Sequence, residues 1–302
     1  LELPERKVIL GEDGVVQSVN FSERLDAHRL IEEFMVLANV AAAETLIAKK
    51  QPLLFRVHEE PSVEKMESLR ATAQSAGFNL AKGQVLKTAH LNRLLDQAAG
   101  TEEAELINIS TLRSMTQAYY SPVNFGHFGL ALGCYAHFTS PIRRYADLLV
   151  HRALVDTFKL EQAKPQGKMA SKLPEHSGLS DVDRDALGKI SEAISRTERR
   201  AMEAERDTID RYVAAWLAGR VGETFDTRIT GVQNFGFFAT IVGLGGDGLV
   251  PISTIGDEYF HFDEAAKALI GSDTGTRYET GQKLEMKLVE ANPLTGALRF
   301  EV

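Results

Sequence analysis

The chain has a single cysteine in 302 residues, Cys134. No disulfide can form within it, which fits a reducing cytosol and a cytoplasmic location. Cys134 stands in the apolar run GLALGCYAHF, where a thiol serves as a small buried hydrophobe rather than as a nucleophile. No run comes near the roughly 18 apolar residues of a membrane span, so no membrane partner is expected. The eight histidines are scattered, with no His-x-x-x-His and no cysteine pair beside them, which argues against zinc. No Gly-x-x-x-x-Gly-Lys loop exists. Positive charge is also short: 34 Lys and Arg against 42 Asp and Glu give a net charge of −8. Bulk attraction therefore cannot coat this chain with nucleic acid, and any such site must be a local basic patch on an acidic body. The opening LELPERK lacks an initiator Met and lacks the basic-then-apolar pattern of a secretory signal, so the chain reads as a trimmed piece of a longer protein.

What is present suits a globular chain. At 44% hydrophobic and 25% charged it can bury a sizeable core, and its length suggests one to three domains. KVILGEDGVVQSVN has two β-rich runs around a Gly-Glu-Asp-Gly turn. From Ser22 the period changes to that of an apolar helix reaching about Lys50, with Leu25, Leu30, Ile31, Phe34, Met35 and Leu37 among its apolar positions. PSVEKMESLRATAQSAG predicts a second helix, capped by Ser62 and stopped at Gly77. TAHLNRLLDQAAG and TEEAELINISTLRSM predict two more. Residues 118–138, rich in aromatics and glycine, read as extended structure with turns. A helix from Ser140 to about Leu160 precedes a polar surface loop, EQAKPQGKMASKLPEHSG. A long helix then runs from about Ser180 to Leu217. Beyond Val221 short strands with glycine turns predict a small β-barrel. The fold class is α+β, with a mixed helical and sheet domain over residues 1–220 and an all-β domain over 221–302.

HFTSPIRRYADLLVHR, residues 137–152, holds an oddity. Ser140 and Pro141 make a strong helix start, which puts Arg143 and Arg144 in a first turn, where cations oppose the helix dipole. Either an anion such as phosphate sits there, held by amides and guanidinium forks, or the arginines are paired with acids. Asp147, four residues after Arg143, and Glu205 are the available partners. Ile142, Tyr145, Ala146 and Leu149 should pack inward. In the FGFF run, strict alternation puts Phe235 and Phe237 on one face, whereas a glycine bulge at Gly236 puts Phe235 and Phe238 together. Exposed rings beside basic residues such as Arg228 would form a stacking platform for single-stranded bases; the alternative is a barrel core filled with Phe. Asp181, Asp183 and Asp185 read as acids favoured at a helix start rather than as a metal cluster. Glu32, Glu33 and Glu205 are either ordinary exposed helix residues or parts of a site. His127 and His137 either contact a substrate or are satisfied core histidines.

These stretches carry a resemblance. YAHFTSPIRRYADLLVHR closely resembles the signature of the ribonuclease II/R (RNB) family. ERLDAHRLIEEFMVLANVAAAETL, from Glu23, and TERRAMEAERDTIDRY, from Thr197, match that family in order and spacing. ITGVQNFGFFATIVGLGGDGLVPIS, with the C-terminal strands, looks like an S1-type RNA-binding barrel of the OB fold. The resemblance implies a processive, hydrolytic 3′–5′ exoribonuclease that releases nucleoside 5′-monophosphates using Mg²⁺. Its partner would be the 3′ end of single-stranded RNA, with no preference for DNA, and the protein would act as a monomer.

Carried over by position, Arg143 matches the catalytic arginine on the scissile phosphate. Arg144 would hold phosphate or structure nearby. Glu32 matches a channel glutamate near the terminal nucleotides, with Glu33 the alternative one register away. Glu205 matches a glutamate near the RNA end. Tyr120, His127, Thr139 and Ser140 lie in matching segments without individual roles, and Phe235 and Phe238 match the aromatic surface of the barrel. Pro251 stands where many S1 domains have His. The family's metal-binding aspartates belong to an Asp-rich segment upstream of the matched part, so no metal ligand is expected in this chain. It is expected to be the second part of the catalytic domain plus the S1 barrel, and to be inactive alone. The rival expectations are a non-catalytic RNA-binding module and an interaction scaffold with its arginines in ion pairs.

Overall fold

A computed structural model describes residues 5–22, 24–80, 87–101, 103–160, 178–264 and 268–302. The architecture is α+β. Packing divides the chain into two compact units: Arg24–Ala98 with Ser110–Arg200, and Leu1–Glu23 with Ala99–Ile109 and Ala201–Val302. Most of the loop expected at 161–178 lies outside the described residues.

The first unit is mainly helical. It contains α1 (Asp26–Ala48), β3 (Phe55–Val57), α2 (Val63–Ser75), α3 (Thr88–Ala98), β4 (Tyr119–Ser121), α5 (Tyr145–Phe158) and the first part of α6 (Asp181–Ala218). Ser62 caps α2, its hydroxyl accepting from the Lys65 amide. Ser180 does the same for α6 through the Asp183 amide at 3.1 Å, and Asp181 and Asp183 sit in that first turn, as acids at a helix start should. β3 and β4 pair antiparallel, Arg56 opposite Tyr120. The core joins Leu46, Leu54, Val57, Leu149, Val150 and Leu187, with Cys134 partly buried at its edge. Burial and Glu44 raise the Cys134 thiol above its ordinary pKa, consistent with a packing role.

α1 departs from the expectation of one buried stripe. Asn39, Ala42, Ala43 and Leu46 are buried on one face. Leu30, Phe34 and Leu37, spaced for the opposite face, are more than half exposed, and so is Ile31. The helix is apolar on two sides, and this unit covers only one of them.

In the second unit, β1 (Arg6–Leu10) and β2 (Val16–Phe21) form the expected hairpin. β5 (Thr224–Gln233), β6 (Gly236–Ile241), β7 (Asp247–Pro251), β11 (Lys283–Ala291) and β12 (Leu298–Glu301) close a barrel in the order β11-β12-β7-β6-β5. All contacts are antiparallel except β12 with β7. β8 (Phe260–Asp263), β9 (Ala268–Gly271) and β10 (Arg277–Glu279) form a separate three-stranded sheet. Phe237, Phe300, Met286, Leu288, Ile229 and Val250 fill the barrel, and Val213, Ala214 and Leu217 from the last turns of α6 pack onto that core. Among the described residues, no helix is long and apolar enough to cross a membrane. The remaining helix, α4 (Ala104–Ser114), has segments in both units.

Candidate nucleic-acid interface

The helix expected from Ser140 begins instead at Tyr145, with Arg144 as its N-cap in an extended conformation (φ −125°, ψ 121°). Ser140 O accepts from the amides of Arg143 (3.3 Å) and Arg144 (3.1 Å), so Pro141–Arg143 form a separate turn. The reason is Asp147. This wholly buried carboxylate accepts the Ser140 amide through Oδ1 at 2.8 Å. It also receives both arms of the Arg144 guanidinium, Nε on Oδ2 and Nη2 on Oδ1, each at 2.8 Å. Such a fork-to-fork pair is strong and geometrically exacting. The ion pair expected between Arg143 and Asp147 is therefore made by Arg144.

Arg143 is exposed, and its guanidinium has no hydrogen bond or ion pair among the described residues. Ile142 is fully exposed and Tyr145 partly so, against the expectation that both pack inward; Ala146 and Leu149 are buried as expected. Ile142 belongs to the turn rather than to the helix face.

The other end of this segment is tied to α1. Asn39 Oδ1 accepts from the amides of Phe138 (2.8 Å) and Thr139 (3.2 Å), and its Nδ2 donates to the Tyr135 hydroxyl at 2.8 Å. His151 stacks on Phe138 at 4.3 Å and contacts its carbonyl through Nε2 at 2.8 Å. Thr139 Oγ1 is buried with no hydrogen-bond partner among the described residues.

Behind the segment lies a row of polar groups. Arg56 donates to Glu198 at 2.6 Å and lies over the Tyr120 ring, 4.7 Å from its centroid. The Tyr120 amide donates to Ser195 Oγ, and its hydroxyl meets His137 Nδ1 at 2.8 Å. Burial pushes the Tyr120 phenol up to about 12. Burial, with Arg144 and Arg56 adding repulsion, pushes His137 down to about 3. Both groups are thus neutral near pH 7. His127 accepts the Leu130 amide on Nδ1, and burial, His58 and Arg56 hold it near 4. Tyr120 is buried, with its hydroxyl turned toward His137. His137 is likewise a satisfied interior histidine.

The segment thus brings Tyr120, Thr139, Ser140, Arg143 and Arg144 together, with His127 joined through the Tyr135 ring at 5.2 Å. Asn39, Arg56 and Glu198 complete the arrangement without having been singled out. Asn39 carried a signal, an amide inside the apolar run MVLANVAAA; Arg56 and Glu198 carried none. Glu32 lies on the Asn39 side of α1, two turns toward its N-terminus, half-exposed and ion-paired with Arg24. Glu205 lies in the other unit. There it lines a cleft of about 510 Å³ with Arg6, Lys7, Leu10, Thr208 and Tyr212.

On the barrel, Phe235 and Phe238 are 49% and 39% exposed and meet edge to face at 6.1 Å. Phe237 points inward and stacks on Tyr278 at 5.3 Å. The pairing of Phe235 with Phe238 is one of the two expected arrangements, but a kink at Gly236 (φ +143°) produces it. The β5–β6 register shift lies opposite, between Ile229 and Gly231. Pro251 pairs with Gly236 beside these rings. Arg228 corrects an expectation: it is only 5% exposed and donates to Gly281 O at 3.2 Å, so it does not flank the aromatic face. Its strand turns this position toward β11, where the guanidinium finds backbone oxygen instead of water.

A family model described as the RNB domain matches residues 1–159. The chain belongs to the RNB family. A model described as the S1 RNA binding domain matches residues 220–302. Ribonuclease R of Escherichia coli K12 is 38% identical over 291 residues, covering 96% of this chain and 35% of the relative. Mycoplasma genitalium RNase R, solved in complex with ribose-methylated single-stranded RNA, superposes with a TM-score of 0.86 at 29% identity, over 100% of this chain and 45% of its own. The same protein in complex with double-stranded RNA gives a TM-score of 0.73 at 26% identity, over 100% of this chain and 46% of its own. The chain thus spans about a third of the length of the E. coli relative.

Proposed function

We propose that this chain is the strand-binding and phosphate-contacting part of a 3′–5′ exoribonuclease that degrades single-stranded RNA to nucleoside 5′-monophosphates in the cytoplasm. One observation carries the reading. Of two adjacent arginines, Arg144 is neutralised by a buried carboxylate, while Arg143, on an exposed turn, has no ion pair among the described residues. An exposed guanidinium without a partner among the described residues is suited to a phosphate oxygen and to the charge that grows on phosphorus as the bond to the last nucleotide breaks. Phe235 and Phe238 would stack bases further along the strand, and Glu32 and Glu205 would face the RNA end. Family membership and the RNA complexes of the M. genitalium relative support RNA as the ligand.

The family implies Mg²⁺. Among the described residues no group of three or more His, Cys, Asp or Glu side chains is placed to hold a metal ion. The described residues do not fit that role. The 302 residues by themselves would then bind RNA without turnover, which is also what a non-catalytic RNA-binding module would do. The test compares this chain with the protein isolated from its own cells, using uniformly labelled single-stranded RNA and Mg²⁺. The expected outcome is mononucleotide release by the cellular protein, of intact mass well above 33 kDa, and binding alone by the 302 residues. Release by the 302 residues that survives repurification would overturn this division of labour. No release by the cellular protein would replace the enzyme with the binding module.

A further inference from the structure

We infer that Asp147 and Asn39 are positioning residues that hold Arg143 in place; the inference rests on the reading of Arg143 as a phosphate contact. The turn that carries Arg143 has little packing of its own. Ile142 is fully exposed and Arg143 is exposed, so among the described residues little apolar packing holds them. A turn of this kind is ordinarily a low-stability element. Here it is tied at both ends by buried side chains. Asn39 holds the amides of Phe138 and Thr139, and Asp147 holds the amide of Ser140. Asp147 then grips the side chain of Arg144, so only Pro141, Ile142 and Arg143 span the gap between its two holds. Proline has a fixed φ, which leaves little freedom to the remaining two.

A simpler role for Asp147 would be to cap its own helix. In a capping box the acid at the third helical position reaches back to the backbone amide of the N-cap residue. Asp147 instead takes an amide five residues before the helix begins, and the guanidinium of the N-cap residue. Its hydrogen bonds shape the turn. A second simple role, cancelling the charge of Arg144, would not need the Ser140 amide. Asn39 likewise directs its oxygen to two consecutive amides of the same segment, about 100 positions away in sequence. A guanidinium preorganised in this way reaches a phosphate without first ordering its backbone.

The test is a double-mutant cycle on the 302-residue chain, read as the affinity for a labelled single-stranded oligoribonucleotide across a salt series. Arg143→Ala should weaken binding about tenfold and reduce the magnitude of the logarithmic salt slope by about 0.7, one phosphate contact. Asp147→Asn should also weaken binding, although it removes a negative charge. Charge alone predicts tighter binding, so the sign separates positioning from bulk electrostatics. In an Arg143→Ala background, Asp147→Asn should change affinity less than twofold, because Arg143 is the group it acts through.

If Asp147→Asn leaves affinity intact while Arg143→Ala does not, the inference falls and the phosphate reading stands. An equal loss from Asp147→Asn in both backgrounds also overturns it, since that is the mark of a general structural defect. If Arg143→Ala loses nothing, the phosphate reading fails and the inference with it. Should Asp147→Asn fail to fold by circular dichroism, Asn39→Ala and Arg144→Lys run through the same cycle, with the same outcomes deciding.

Discussion

Gly236→Ala tests how the barrel presents its aromatic face. Gly236 has φ +143°, a conformation L side chains rarely adopt. A methyl group added there would overlap the Val250 carbonyl oxygen and lie 3.0 Å from both Ile252 N and Pro251 Cα. All three are backbone, so no flexible side chain can move aside. Strain of about 1–3 kcal/mol from the backbone conformation adds to about 1–3 kcal/mol for forcing β6 and the end of β7 apart. The sum, about 2–6 kcal/mol, is a large share of the roughly 5–15 kcal/mol that holds a typical domain together. The assay is urea unfolding followed by the fluorescence of Trp216, the chain's single tryptophan, which packs against the barrel core. Gly231→Ala is the control: its φ is not positive and a methyl there meets nothing within 4 Å, so the midpoint should barely move. The expected result is a much lower midpoint for Gly236→Ala, with weaker RNA binding because the Phe235–Phe238 pair loses its geometry. A Gly236→Ala protein within about 0.5 kcal/mol of the parent would refute the claim that this close approach requires glycine.

Two further predictions follow the same logic. Phe235→Ala or Phe238→Ala should each weaken single-stranded RNA binding by about 1–3 kcal/mol with little change in stability. Phe237→Ala should instead cost about 3–5 kcal/mol of barrel stability, because that ring is wholly buried; comparable stability losses for all three would reject the inside–outside assignment. For pH, His137 and His127 are held down at about 3 and about 4, against 6.5 when unfolded. The unfolded chain therefore binds protons that the folded chain refuses. Their contribution to stability is fully present above about pH 6.5 and is lost as pH falls toward 4 and then 3. Urea midpoints of the parent should drop across that window, and His137→Gln should drop less. An equal drop in both proteins would remove His137 from the account.

Local features were legible wherever neighbours in sequence decide them. The long helix from about residue 180, the Ser62 cap, the N-terminal hairpin and the short barrel strands follow from period, capping residues and glycine placement. The start of α5 was misread because Ser140 and Pro141 are a strong local helix signal. It yields to Asp147, whose carboxylate captures the Ser140 amide and the Arg144 side chain before helix can form there. Arg228 looked like a surface cation because its strand sequence cannot show that β11 and the Gly281 carbonyl receive its side chain. The two apolar sides of α1 were visible as composition, but which one is covered was not.

By itself, then, the sequence determined the class of elements, the family, and the presence of two adjacent arginines after a Ser-Pro pair. Those depend on short-range backbone preferences and on a motif that is contiguous in the chain. Only the tertiary structure decided which arginine is left without a partner among the described residues. That choice belongs to a buried carboxylate that satisfies one guanidinium completely, and to an amide on α1, about 100 residues away, that holds the far end of the same turn. A buried charge must be paired, so once Asp147 takes Arg144, Arg143 is the cation left facing solvent.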